Sequence, residues 1–486
     1  MTDRPALSHD QIRACLETLR SRDLPTHGGR TLSYVYDSGL AEADAIGLEA
    51  LSMFAATNGL DPTAFPSLLA METDLVGWAG RLLDAPSGFA GSVTSGGTES
   101  LLLAVLAARS GAPGVEHPSM VLPTTAHAGF HKAAHYFGVR PVLVDVDPVT
   151  YRADPAAMAR AVDDSTILVV ASAPSYAHGV IDPVPEVAAL AAERGIRCHV
   201  DACIGGWVLP YLDDVPPWTF AVDGVSSISV DLHKYGYTPK GVSILLHRSA
   251  ALRSGHFFAA ADWPGYTMLN TTLQSTKSGG PLAAAWAVAN AIGDDGYRRL
   301  VARAREATLA LADAARGIPG LAVVAEPDST LLTLRTDDTC DVFTVADEML
   351  ARGWFVQPQM GFRGMPPTLH LTLSAATASG LADVVSALRE AVAAARAAGP
   401  VHVAPELALA ATALDPSTLD EAAFDGLLAL AGLADGSGEL ALPERMAPVN
   451  ALLDAAPPRL REALLLAVLD RLTRPGTLAC DQGHAM

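Results

Sequence analysis

Residues 229–241, SVDLHKYGYTPKG, hold two lysines six positions apart, Lys234 directly after a histidine and Lys240 directly after a proline. Lys234 follows the apolar run VSSISV and has Asp231 and His233 beside it. At the end of a buried strand the charged form of a lysine is disfavoured and the amine becomes a usable nucleophile; a solvated surface charge is the ordinary alternative. In RCHVDACIGGW, Asp201 closes a strand-like run, where a carboxylate needs a partner. A heterocyclic N–H⁺ would serve, as would a structural arginine or a capping role. The run TSGGTES, residues 94–100, opens a helix. Gly96 and Gly97 permit close backbone approach, and Thr98 and Ser100 place hydroxyls near exposed N–H groups, which makes either an anion cup or a plain helix cap. The lysine of a nucleotide-binding P-loop is missing from it.

The elements that must carry these residues follow from periodicity. Between about Gly91 and Arg248 the apolar runs SMVLP, RPVLVDV, TILVVAS, RCHVD, VSSISV and VSILLH alternate with helical stretches such as TESLLLAVLAARS and DPVPEVAALAAERG. This is the pattern of βαβ units, and it predicts an α/β fold with a mainly parallel, doubly wound sheet whose ligands bind at the carboxyl ends of the strands. A long helix over roughly Gly280–Ala315 leads to a second α/β segment with strands at TLLTLRT, GWFVQP and LHLTLS and a closing helix, SGLADVVSALREAVAAARAAG. The expected division is an N-terminal segment (1–60), a large cofactor-binding domain (61–295), a small C-terminal α/β domain (296–400) and a helical extension of unknown role (401–486).

Along one such sheet the order is anion cup, His127 in TTAHAGFHKAAHYFG, Asp201, then Lys234. Together these suit pyridoxal 5'-phosphate: the cup takes the phosphate, an imidazole stacks on the ring, the carboxylate holds the pyridinium proton and the lysine attaches covalently.

The runs FPSLLAMETDLVGW, VTSGGTESLLLA, TTAHAGFHKAAHYFG, SAPSYAHGVIDPV, HVDACIGGWVLP, SVDLHKYGYTPKG and GGPLAAAWAVANAIGDDGY resemble the fold-type I pyridoxal-phosphate enzymes of the group II decarboxylase family, and most nearly its sphingosine-1-phosphate lyase branch. The resemblance covers approximately Leu32–Ala398. It implies that Lys234 is the cofactor lysine, His127 the stacking residue, Asp201 the pyridinium partner, and Gly97, Thr98 and His233 phosphate contacts. It also implies a role in catalysis or substrate binding for Lys240, a position near the substrate for Tyr36, and a loop carrying Ser275, Thr276 and Lys277 that reaches the site of a neighbouring subunit in a homodimer; Thr276 is thereby a candidate cofactor contact. Two departures stand out. Asp61 in NGLDPTAFP replaces a branch histidine, and STKSGG replaces GSRPGG, so that Lys277 lacks the bidentate fork of arginine. The implied reaction is carbon–carbon cleavage of a phosphorylated amino alcohol to an aldehyde and a phosphorylated amine. The alternatives are amino-acid decarboxylation, as in glutamate or tyrosine decarboxylases, and a cofactor-binding pseudoenzyme scaffold.

Composition narrows the partners. The chain has 486 residues, half of them apolar, and a formal charge of −20, which disfavours nucleic acid and anionic lipid and favours a small-molecule amine substrate. No leader-like start or membrane-length apolar run is evident, so a cytoplasmic protein is expected. Five cysteines without a CxxC pair argue against a disulfide framework or a thiolate metal site.

Overall fold

The computed structural model describes residues 6–274, 276–404, 411–431, 433 and 443–475. Ser275 and parts of the C-terminal extension lie outside the described residues. Seven strands build the main sheet: β1 (Ala90–Thr94), β2 (Ser119–Pro123), β3 (Arg140–Val144), β4 (Thr166–Ser172), β5 (Arg197–Asp201), β6 (Val225–Asp231) and β7 (Ser243–His247). Their order is β1-β7-β6-β5-β4-β2-β3. The pairs from β3 through β2, β4 and β5 to β6 are parallel, while β7 is antiparallel to both β6 and β1. The six strands expected from apolar runs are all present. The seventh, β1, reads AGSVT and has too few apolar residues to announce itself; its place is decided by pairing with β7.

Every residue of β2, β4, β6 and β7 is buried, as expected for strands covered on both faces. The unit that contains this sheet also holds the helices α2 (Ala41–Met53), α3 (Pro66–Leu82), α4 (Gly97–Ser110), α5 (Gly129–Phe137), α6 (Pro155–Ala161), α7 (Val184–Arg194), α8 (Ala250–Arg253) and α9 (Gly279–Arg316), while α1 (His9–Arg20) belongs to the second unit below. The helix expected over 280–315 is a pair merged across Gly293, whose φ of 62° and ψ of 170° interrupt the helical path. A small hairpin, β8 (Phe258–Ala260) with β9 (Met268–Asn270), stands apart from the main sheet. A further sheet includes, in order, β10 (Leu321–Val323), β11 (Leu331–Thr336) and a later strand, β13 (Thr368–Thr372), with β12 (Gln357–Gln359) between the last two in the chain.

Two compact units result, one of residues 27–334 and 370–385, the other of 1–26, 335–369 and 386–486. The second unit holds α10 (Val342–Ala351), most of α11 (Leu381–Ala398), α12 (Glu421–Leu430), α13 (Ala447–Ala455) and α14 (Pro458–Leu472). Leu428, Leu433 and Val449 form a small core there. Cys198, Cys203 and Cys340 are buried free thiols, and Cys15 is disulfide-bonded. No described helix is long and apolar enough to cross a membrane, and no group of His, Cys, Asp or Glu side chains among the described residues is arranged to hold a metal.

The last residue of β7 belongs to a buried histidine pair. The rings of His247, at the end of β7, and His256 lie 5.3 Å apart, and none of their four nitrogens has a hydrogen-bond partner among the described residues. Burial, then their neighbours including Arg197 and Arg253, holds His247 well below the ordinary imidazole value and lowers His256 to about 4. On β5, His199 lies between Ser227 and Ser229 of β6 and is likewise lowered to about 4, by burial. Because the unfolded chain takes up these protons near pH 6.5 and the folded chain refuses them, stability is present above about 6.5 and is lost as pH falls toward 4, by about 1.4 kcal/mol per pH unit for each proton. Urea midpoints should therefore drop between pH 7 and pH 5, and His256→Leu should flatten that drop. An unchanged pH slope in the variant would exclude His256 as a source.

Candidate active site

The parallel strands bring their carboxyl ends to one level. Ser172 of β4 is in register with Asp201 of β5, and Asp201 with Ser229 of β6, two residues before Asp231. Opposite them, α4 begins at Gly97. A cavity of about 390 Å³ lies between, lined by residues that include Ser95–Glu99, His127, Ser172, Pro174, Tyr176, Asp201, Cys203, Asp231, His233 and Lys234. Of the residues singled out in the sequence, Gly97, Thr98, His127, Asp201, His233 and Lys234 surround it. Tyr36, Lys240 and Thr276 do not line it.

At its floor, Lys234 Nζ is 3.0 Å from Asp231 Oδ2. Burial is the largest single influence and works against the lysine's charge, but Asp231, followed by Cys203, Tyr36 and Asp201, together outweigh it, and the ammonium is held above its ordinary value. This corrects the expectation of a neutral amine produced by desolvation alone. Asp231 is 1% exposed, and burial would raise it; Lys234 and His233 bring it below the usual carboxylate range. His233 Nδ1 accepts the Val242 N–H at 3.2 Å, which leaves the ring proton on Nε2, 3.6 Å from Asp231 Oδ2. Asp201 accepts the Cys203 N–H at 3.1 Å, and His127 Nδ1 accepts the Gly129 N–H at 3.0 Å, so that its other nitrogen carries the proton.

Two features show that the cavity is built to receive a group. Asp231 Oδ1 is buried without a partner among the described residues. A Cβ on Gly97 would stand 2.6 Å from Asp231 Oδ2 and 2.9 Å from Cys203 Sγ, so only glycine leaves the start of α4 open beside the ion pair. Pyridoxal phosphate fits this donor set: the N–H groups and Thr98 hydroxyl at the start of α4 could hold the phosphate, His127 could cover the ring, Asp201 could hold the ring nitrogen's proton and Lys234 could bond the aldehyde carbon. Glu99 is already committed, accepting N–H groups of Ser95 at 2.6 Å and Leu273 at 2.7 Å.

Lys240 has a different setting. Its side chain is exposed, yet Nζ turns inward to donate to Tyr34 O at 2.9 Å and His233 O at 3.3 Å, and it lies 5.0 Å above the Tyr36 ring. Loss of hydration at the ammonium, then the Lys234 charge, lowers it to about 8. Tyr36 packs edge-on against Tyr235, and burial pushes its phenol up. In the 271–278 loop, Lys277 Nζ is 2.6 Å from Glu72 Oε1, which also accepts the Val93 N–H, so in this chain the loop is tied to β1. Asp61 is exposed and caps Thr63. Sequence reasoning passed over Tyr176, Ser172 and Cys203 as site residues; their only signal was a place just after an apolar run.

The pyridoxal-dependent decarboxylase conserved domain matches residues 31–336, and a domain of pyridoxal-dependent enzymes named for a C-terminal helix-turn-helix matches 405–471. The sphingosine-1-phosphate lyase of Dictyostelium discoideum is 39% identical over 333 residues, 67% of this chain and 62% of that protein, so the chain spans about three fifths of that relative's length. A Methanothrix thermoacetophila protein named "Probable L-tyrosine/L-aspartate decarboxylase" is 35% identical over 72% of this chain and 88% of its own length. The solved Burkholderia pseudomallei sphingosine-1-phosphate lyase superposes with a TM-score of 0.76 at 33% identity, covering 82% of this chain and 93% of that one. With well over half of its length matched by the conserved domain and its strand ends converging on one cradle, this chain belongs to the pyridoxal-dependent decarboxylase family.

Proposed function

We propose that this chain is a pyridoxal-phosphate-dependent carbon–carbon lyase that cleaves a phosphorylated amino alcohol to an aldehyde and a phosphorylated amine. The observation that carries the reading is Lys240, a second lysine anchored on the backbone carbonyl of His233, next to Lys234, and lowered to about 8. Cleavage of this kind needs a base for the substrate hydroxyl proton as the carbon–carbon bond breaks, and then a proton for the carbon beside nitrogen. A lysine that exchanges protons near neutral pH suits that work, and in its charged form it suits a phosphate. Bound pyridoxal phosphate supplies the electron sink for the cleaved carbon. Asp231 supports the machinery by holding Lys234, and Asp201 would hold the proton of the cofactor's ring nitrogen. The similarity to sphingosine-1-phosphate lyases from several kingdoms supports the same choice.

Amino-acid decarboxylation is the second reading, favoured by the near-complete coverage of the Methanothrix protein. The proposal includes a homodimer with shared sites and a cytoplasmic location. The dimer is supported by the residues from Phe257 to Leu273, where Phe257, Phe258, Trp263, Tyr266, Leu269 and Leu273 are all exposed, an apolar surface of the kind that partners cover.

Borohydride reduction of the protein loaded with pyridoxal phosphate should fix the cofactor on Lys234, read by peptide mass mapping; label on Lys240 would overturn the assignment. Asp201→Asn should fold normally and lose most turnover, because an amide cannot match a carboxylate in stabilising a protonated ring nitrogen. A phosphorylated 2-amino-1,3-diol should yield an aldehyde without carbon dioxide, and Lys240→Ala should lower that turnover by about 100-fold or more, the scale of a lost acid–base group, while cofactor binding persists. Stoichiometric carbon dioxide from an amino acid, with no aldehyde from any phosphorylated amino alcohol, would establish the decarboxylase instead.

A further inference from the structure

Asp182 lies ten residues beyond the end of β4, is 1% exposed, and does not line the cavity. Its two carboxylate oxygens each accept one backbone N–H: Oδ1 from Ala153 and Oδ2 from Ser172, both at 2.8 Å. Its own N–H donates to Ser172 O at 3.0 Å, so the residue grips both sides of the strand end. Burial raises it to about 6 against the pull of those hydrogen bonds and of Arg152. A buried carboxylate is costly, and this one spends its oxygens on main chain alone.

Between Ser172 and Asp182 runs the loop 173–181, which carries Pro174 and Tyr176 into the cavity wall. The loop closes on itself through Ser175 N–H to Val180 O at 2.8 Å and Gly179 N–H to Ser175 O at 2.9 Å. At its far end the Ile181 peptide is pinched. Its N–H donates to Asp328 Oδ2 at 2.8 Å, its carbonyl accepts from Arg152, and Arg152 and Asp328 pair at 2.7 Å. Tyr176 is thereby held with its ring stacked on His370, centroids 4.0 Å apart, and its hydroxyl 3.0 Å from Ser33 Oγ.

We propose that Asp182 is a positioning residue of the cofactor cavity: acting through Ser172 and the 173–181 loop, with the Arg152–Asp328 clamp at Ile181, it sets where Pro174 and Tyr176 stand in the wall. The proposal rests on this cavity being the pyridoxal-phosphate site, and is independent of which substrate bond is cleaved. Wild-type affinity for pyridoxal phosphate reports on the first point, and the variants report on Asp182.

The test is titration of pyridoxal phosphate into wild type, Asp182→Asn and Asp347→Asn, with melting temperatures for each. Asp347 is the matched control, a buried carboxylate in the other unit whose oxygens accept the Met446 N–H at 3.0 Å and the Ala447 N–H at 2.9 Å. In both variants an amide NH₂ faces a backbone donor, so both should melt lower. Asp182→Asn should also weaken cofactor binding by about tenfold, and Asp347→Asn by less than about twofold. Tyr176→Ala should weaken binding as well, and combining it with Asp182→Asn should add little, since both act through one wall. Cofactor affinity within about twofold of wild type in Asp182→Asn, or additive effects in the double variant, would overturn the proposal. If Asp182→Asn does not fold, Asp328→Asn releases the same loop at its other end and is judged by the same two outcomes.

Discussion

The contact on which the site depends is the ion pair of Asp231 and Lys234 at the end of β6. Two charges removed from water are tolerated only when each meets its partner closely, and losing either leaves the other buried alone. The surrounding structure keeps them together. Asp231 ends a wholly buried strand, Lys234 follows three residues later, and His233 between them is fixed by the Val242 backbone. Gly97 completes the arrangement by having no side chain to occupy the space against the carboxylate. The other oxygen of Asp231 is buried with no partner among the described residues.

Parallel pairing is what turns separate residues into a site. Because β4, β5 and β6 run the same way and their carboxyl-terminal halves pair in step, Ser172, Asp201 and the residues around Ser229 reach one level at the edge of the sheet. The first turn of α4 lines the same cavity, and the N–H groups of a helix's first turn favour an anion there, beside the carboxylates. Around this centre the supporting groups are mostly main-chain hydrogen bonds accepted by buried or half-buried carboxylates: Glu99 joins the cup to the 271–278 loop, Glu72 holds β1 and Lys277, and Asp182 holds the end of β4. A carboxylate serves such junctions well, since each oxygen accepts without needing a donor in return.

Much of this was legible in the sequence. Six of the seven strands of the main sheet were visible as apolar runs, because a strand buried on both faces needs apolar or small residues throughout. Lys234, Asp201, His127 and Gly97 could be singled out because each follows such a run or opens a helix, the places where a parallel sheet gathers ligands. β1 was hidden, since an edge strand of small residues is defined by its partner. The break at Gly293 was hidden too, because a single glycine in an Ala-rich helix is compatible with either path.

By itself, then, the sequence determined which residues end up at the carboxyl edge of the sheet and what chemical types they are, since burial along one element is written in its own periodicity. Tertiary structure alone decided how those residues are charged and aimed. Lys234 keeps its proton because Asp231, with Cys203, Tyr36 and Asp201 behind it, together outweigh the burial that opposes it, and Lys240 turns inward because carbonyls of Tyr34 and His233 converge there. Tyr176 enters the wall because Asp182, Arg152 and Asp328, drawn from as far as 152 residues away in the chain, close on its loop. Such contacts depend on distances between elements that only packing sets, and no local pattern records them.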